Sequence, residues 1–142
     1  MTHSPAQIMS QAMIDASLFT SPGSSDWPLY ISVLPSADGV ADQAACVYDV
    51  SPVSMGRILR GDHCWKHGVQ LMVRDPSYTT GWAKAAASVR ALELMHMVNV
   101  VIDDTAYLID SVGLTTHVLS LGQDEYRRAM FTVNMLVMLK GD

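Results

Sequence analysis

The chain has 142 residues, of which 49% are hydrophobic and only 16% charged, with a formal net charge of −5 at pH 7. That length suits one domain, and so apolar a composition excludes a disordered protein, which needs low hydrophobicity and high charge. An isoelectric point near 5.3 argues against the broad basic footprint of a nucleic-acid binder.

The predicted elements run as follows. Ser4 and Pro5 cap and start a helix, and Ile8, Met9, Ala12, Met13, Ala16 and Phe19 recur on one face of it. Residues 20–28 form a loop rich in serine, glycine and proline. Leu29 to Leu34 is a short strand, residues 35–42 a turn, and Ala44 to Val50 a second strand. Over 51–67 Pro52, Gly56 and Gly61 interrupt any regular element, so the expectation is a long hairpin arm or a mobile loop. Gly68 to Arg74 is a strand with Val69, Leu71 and Val73 on one side. Asp75-Pro76-Ser77 then starts the main helix, Tyr78 to Met97. Val98 to Ile102 and Ala106 to Val112 flank Asp103-Asp104 as a hairpin, 114–121 adds an extended segment, and Gln123 to Arg128 is a polar turn. Met130 to Leu139 is the last strand. The expected architecture is α+β: one domain over 1–142, a mostly antiparallel or mixed sheet, and two main helices packed on one face.

The charge is unevenly placed. Residues 1–56 carry five aspartates (Asp15, Asp26, Asp38, Asp42, Asp49) and no lysine or arginine, whereas Arg57, Arg60, Lys66 and Arg74 follow closely with only Asp62 against them. With Trp65 they make a basic segment that suits nucleic acid, although a solvated loop or a protein-contacting arm is the preferred reading. The main helix is apolar on two sides: Trp82, Ala85, Ala86, Val89 and Leu92 on one, and Ala83, Ala87, Ala91 and Leu94 on the other. A surface helix normally shows a wider polar arc. The second stripe either packs within the domain or meets a neighbouring subunit. A charged share below the roughly 25% usual for soluble domains points the same way, toward subunit contacts.

Catalytic and metal-binding patterns are weak. His63, Cys64 and His67 are soft donors without the second half-site that structural zinc requires, and Cys46 and Cys64 read as reduced thiols. No nucleophile elbow, P-loop or dinucleotide fingerprint is present. Asp103-Asp104 reads as a hairpin turn, and Asp124-Glu125 with Arg127-Arg128 as a polar turn with local ion pairing. No enzyme, cofactor or metal is expected. No apolar stretch approaches the ~18–20 residues of a membrane span, and no secretory signal is visible at the N-terminus.

The run Gly68-Val69-Gln70-Leu71-Met72-Val73-Arg74-Asp75-Pro76-Ser77-Tyr78, then Gly81-Trp82-Ala83-Lys84 and an alanine-rich helix to Ala91-Leu92, resembles the centre of the tail terminator proteins of long-tailed bacteriophages. These are also called tail-completion or minor capsid proteins. Tyr107-Leu108-Ile109, Leu121-Gly122-Gln123-Asp124-Glu125, Arg127, Phe131 and Asn134 resemble the family's closing stretch. The resemblance covers about 68–139, and 51–67 departs from it most. It implies a structural virion protein, assembled in the host cytoplasm, that forms a hexameric ring on the head-proximal end of the tail tube. Such a ring stops tube polymerisation and joins the tail to the head connector, with DNA passing through its lumen. The alternatives are another neck or tail component, or a small ligand-binding domain. The candidate interaction residues are Arg57, Arg60, Trp65, Lys66, Arg74, Ala83, Ala87, Ala91, Arg127 and Arg128. A ring would set acidic residues of 1–56 against basic residues of 57–74 in the neighbour.

Overall fold

A computed structural model describes residues 1–36 and 41–141. The elements are α1 (Pro5–Asp15), β1 (Leu29–Ile31), β2 (Ala44–Arg57), β3 (His63–Asp75), α2 (Tyr78–Glu93), β4 (His96–Ile102), β5 (Thr105–Leu114), β6 (Leu119–Gln123) and β7 (Ala129–Gly141).

Local chemistry sets the helix ends. The Ser4 hydroxyl accepts from the Gln7 amide while the Gln7 side chain accepts from the Ser4 amide, a reciprocal capping box. The Ala6 N–H donates to Asp49 Oδ1 at 2.8 Å, so a β2 carboxylate finishes the first turn. The expected continuation to Phe19 fails because Ser17 takes a left-handed conformation (φ 60). Leu18 N–H then bonds Met13 C=O and Ser17 N–H bonds Ile14 C=O, a Schellman closure. At α2, Asp75 Oδ1 accepts from the Ser77 amide at 2.6 Å, and Ser77 caps the helix through the Thr80 amide. The helix stops at Glu93, four residues short of the expected Met97. His96 and Met97 belong to β4 instead, where the His96 ring bonds the Asp110 carbonyl at 2.8 Å.

The strands form one mixed sheet in the order β1-β2-β3-β7-β5-β4, with β6 pairing β7 beside β5. Only β1 with β2 is parallel; the other pairs are antiparallel. Two cross-strand rows, Ala45–Val73–Phe131 and Val47–Leu71–Val133, are fully buried. They lie under both helices, in one core that includes Ile8, Met9, Met13, Ala85, Val89 and Leu92. Each Val, Leu, Ile, Phe or Met among them contributes about 1.5–3 kcal/mol on burial. The fold is therefore α+β with both helices on one face, as the sequence pattern implies. Gly81 makes the close approach possible: a Cβ there would stand 2.7 Å from Phe131 Cε2. Tyr78 and Trp82 flank the same ring, with centroids at 5.1 and 6.0 Å.

Candidate interaction surface

The segment 51–67 is an arm. From Asp49 onward every β2 residue is exposed, and the pairing of β3 with β7 ends at His67–Val137. Beyond that point the β2–β3 hairpin runs on two strands wide for about 20 Å at ~3.3 Å per residue, with a cleft between it and the end of β7. The expected breakers are absorbed rather than ending the strands. Register shifts at Val50/Val53 and Ser54/Arg57 accommodate Pro52 and Gly56 as bulges. Gly61, at φ +89, turns the tip, which is closed by Ile58 N–H to Asp62 C=O (2.9 Å) and Gly61 N–H to Ile58 C=O (2.8 Å). An Arg57 guanidinium nitrogen donates to the Gly61 carbonyl at 2.9 Å. His63 stacks on Trp65 at 4.7 Å and meets the Ser54 hydroxyl at 2.7 Å.

The arm carries Arg57, Arg60, Lys66 and Trp65 together, with Val53, Met55, Ile58 and Leu59 exposed between them. Leu59 is fully exposed at the tip. Arg74 does not belong to this patch. It is 1% exposed and donates to three backbone carbonyls: Nε to Asp42 (3.0 Å), Nη1 to Pro35 (2.6 Å) and Nη2 to Ala41 (2.9 Å). Burial, then the nearby Arg128 charge, holds its pKa below the usual guanidinium value. Arg128 is also buried: Nε meets Asp124 Oδ2 at 2.8 Å, Nη1 meets Asp42 Oδ1 at 3.2 Å, and Nη2 meets Ser36 Oγ at 3.2 Å. Both arginines thus pin the chain on either side of 37–40 to the sheet. Neither is placed to touch a partner, whereas Arg127 is exposed on the turn beside them.

The four described aspartates of 1–56, Asp15, Asp26, Asp42 and Asp49, are all exposed, and three of them also have partners within the chain. Asp42 is ion-paired to Arg128, Asp49 caps α1, and Asp15 accepts from Gln11. Asp38 and the middle of the expected 35–42 turn lie outside the described residues. An acidic site not singled out for contact in the sequence reading is Asp103-Asp104, both exposed in the β4–β5 turn. The Asp103 side chain is 89% exposed, with His3 Nε2 at 3.5 Å.

The second α2 stripe faces outward. Ala83 and Ala87 are exposed, Ala91 is half-buried, and Leu94 is 82% exposed. Ala91 and Leu94 join Ala12, Asp15 and Ala16 in a shallow groove between the ends of the two helices. Under the arm, Ile58, His63, Trp65 and His67 line a cleft of about 290 Å³ with Asp110, Met138 and Lys140. Burial pushes the His67 imidazole below its ordinary value, against the pull of Asp49. Burial likewise raises the Cys46 thiol. Tyr48 is pushed up to about 12 by burial and by its bond to Cys46. Cys46 and Cys64 are both free thiols. Among the described residues no three His, Cys, Asp or Glu side chains are grouped to hold a metal ion.

The sequence matches no protein-family model and no curated protein. One solved structure superposes over 96% of this chain and 92% of its own, with 13% identity and a TM-score of 0.49. Likeness at that level speaks neither for nor against any function.

Proposed function

We propose that this chain is a structural virion subunit of the tail-terminator type. In this reading it closes a ring, of six copies by the family resemblance, on the head-proximal end of the tail tube, halts tube growth and offers its other side to the head connector. The observation that supports the reading is the arm: a two-stranded hairpin carrying exposed apolar side chains and three cations. A projecting arm and an outward apolar helix stripe are two different surfaces on one chain. Contact between two different patches is head-to-tail, and such contacts close into rings when the rotation permits. The partners are further copies of the chain, the tail tube protein and the connector, with DNA passing through the lumen.

Electron microscopy of the purified protein, alone and mixed with tail tubes, tests this. The expected result is rings of mass about six times the 15.5 kDa of one chain, on their own or formed at one end of each tube. A monomer that leaves tube ends bare and tube length unchanged refutes the proposal.

A further inference from the structure

Sheet edges present unpaired backbone groups, and proteins defend them with charges, prolines, bulges or very short strands. Three of those defences protect one side of this sheet. β1 is only 3 residues long, and β2 beyond it carries Pro52 and two register shifts. The opposite edge, β4, is less protected. Its sequence His-Met-Val-Asn-Val-Val-Ile contains no lysine, acid, proline or glycine, and its register with β5 is unshifted, with Met97 (φ 54) left out of the pairing. Among the described residues no strand pairs its outer side. Met97 and Val101 are more than half exposed along it, and it runs into Asp103 and Asp104.

The arm has the complementary surface. Met55, Ile58 and Leu59 match an apolar edge, and Arg57 and Arg60 match two adjacent carboxylates. The lengths also agree: β4, 7 residues long, spans about 23 Å at ~3.3 Å per residue, close to the reach of the arm. Resting on the ring reading above, we infer that the arm of one copy lies along the β4 edge of the next, its arginines against Asp103 and Asp104. Side chains make this contact. Pro52 and the bulges make β2 a poor template for extending the backbone ladder. The arrangement covers this outer edge and fixes the order in which copies follow one another.

A double-mutant cycle on the full chain tests the pairing. One arm carries Arg57→Gln with Arg60→Gln, the other Asp103→Asn with Asp104→Asn; asparagine tolerates the positive φ of both turn positions (46 and 63). Sedimentation of the free protein and capping of tail tubes give the ring-forming concentration. Each pair of substitutions is expected to raise that concentration about tenfold, and the combination to raise it no further, because the partners are already lost. Leu59→Ser alone is expected to weaken assembly without lowering the melting temperature. Losses that multiply to about a hundredfold, or rings indifferent to either pair, overturn the inference while leaving the ring itself standing. If the unaltered chain neither forms rings nor caps tubes, both the inference and the proposed function fall.

Discussion

Replacing Arg74 with alanine separates a residue that holds the fold from those that project from it. The side chain is 1% exposed, and its three nitrogens donate to three carbonyls of the chain near residues 35–42. Hydrogen bonds to a charged group contribute about 1.5–3 kcal/mol each. Burying the guanidinium itself costs several kcal/mol, and the freed carbonyls regain water as their segment loosens. The expected net loss is therefore about 2–4 kcal/mol, the scale of a broken buried network. For a chain of this size that lowers the melting temperature by roughly 5–15 °C. Arg60→Ala on the arm is expected to cost less than about 0.5 kcal/mol, as for an unengaged surface residue. Thermal unfolding followed by circular dichroism measures both. Arg74→Lys is expected to recover less than half the loss, because one ammonium cannot span three carbonyls on a planar fork. If Arg74→Ala melts with the parent, the buried clamp is wrong. If Arg60→Ala falls as far as Arg74→Ala, the arm is not the solvated projection described.

Gly81→Ala reverses a usual rule: the helix gains about 0.5–1 kcal/mol in propensity, but the new Cβ meets Phe131 Cε2 at 2.7 Å and Asp75 Cβ at 3.0 Å. Overpacking costs about 1–3 kcal/mol, so the melting temperature is expected to drop, and a rise would show that the helix–sheet contact is looser than described. Burial pushes the Asp124 carboxyl up, but hydrogen bonds from the Arg128 amide, the Arg128 side chain and the Tyr126 amide outweigh it and hold the group below its ordinary value. Its stabilising contribution is complete above about pH 4 and is lost as pH falls through the lower folded value. Asp124→Asn is expected to flatten that acid limb of a stability–pH curve, and an unchanged limb would contradict the clamp. His67, depressed by burial, likewise adds stability that is present above about pH 6.5 and lost on acidification. His67→Gln is therefore expected to reduce the slope just below pH 6.5 in urea titrations, and an equal slope in parent and variant would count against the burial.

Periodicity in the sequence determined the elements themselves. Val69, Leu71 and Val73 alternate, as do Phe131, Val133, Met135 and Val137, and both sets are buried on the helix side. The steps of three and four in α1 and the caps at Ser4 and Ser77 placed the helix starts, because these are short-range rules of backbone geometry. Helix ends were less legible. Apolar Met95 and Met97 extend a helical pattern as readily as they begin a strand, and only the pairing with β5 decides between them. The arm was half legible: Pro52, Gly56 and Gly61 read as interruptions, yet a hairpin absorbs them as bulges and a tip.

Charge was the least transferable signal. Arg57, Arg60, Lys66 and Arg74 stand close in the chain, but strand alternation and distance along β3 put Arg74 inside, against carbonyls from residues more than thirty positions away. Asp42 and Asp49 likewise find partners within the chain, in Arg128 and the start of α1. The low overall charge and the over-apolar α2 were written in the composition. Which side chains face water, and that β4 is left as an outer edge beside Asp103 and Asp104, followed only from the strand order. That order depends on the fit of segments far apart in sequence, and no local pattern encodes it.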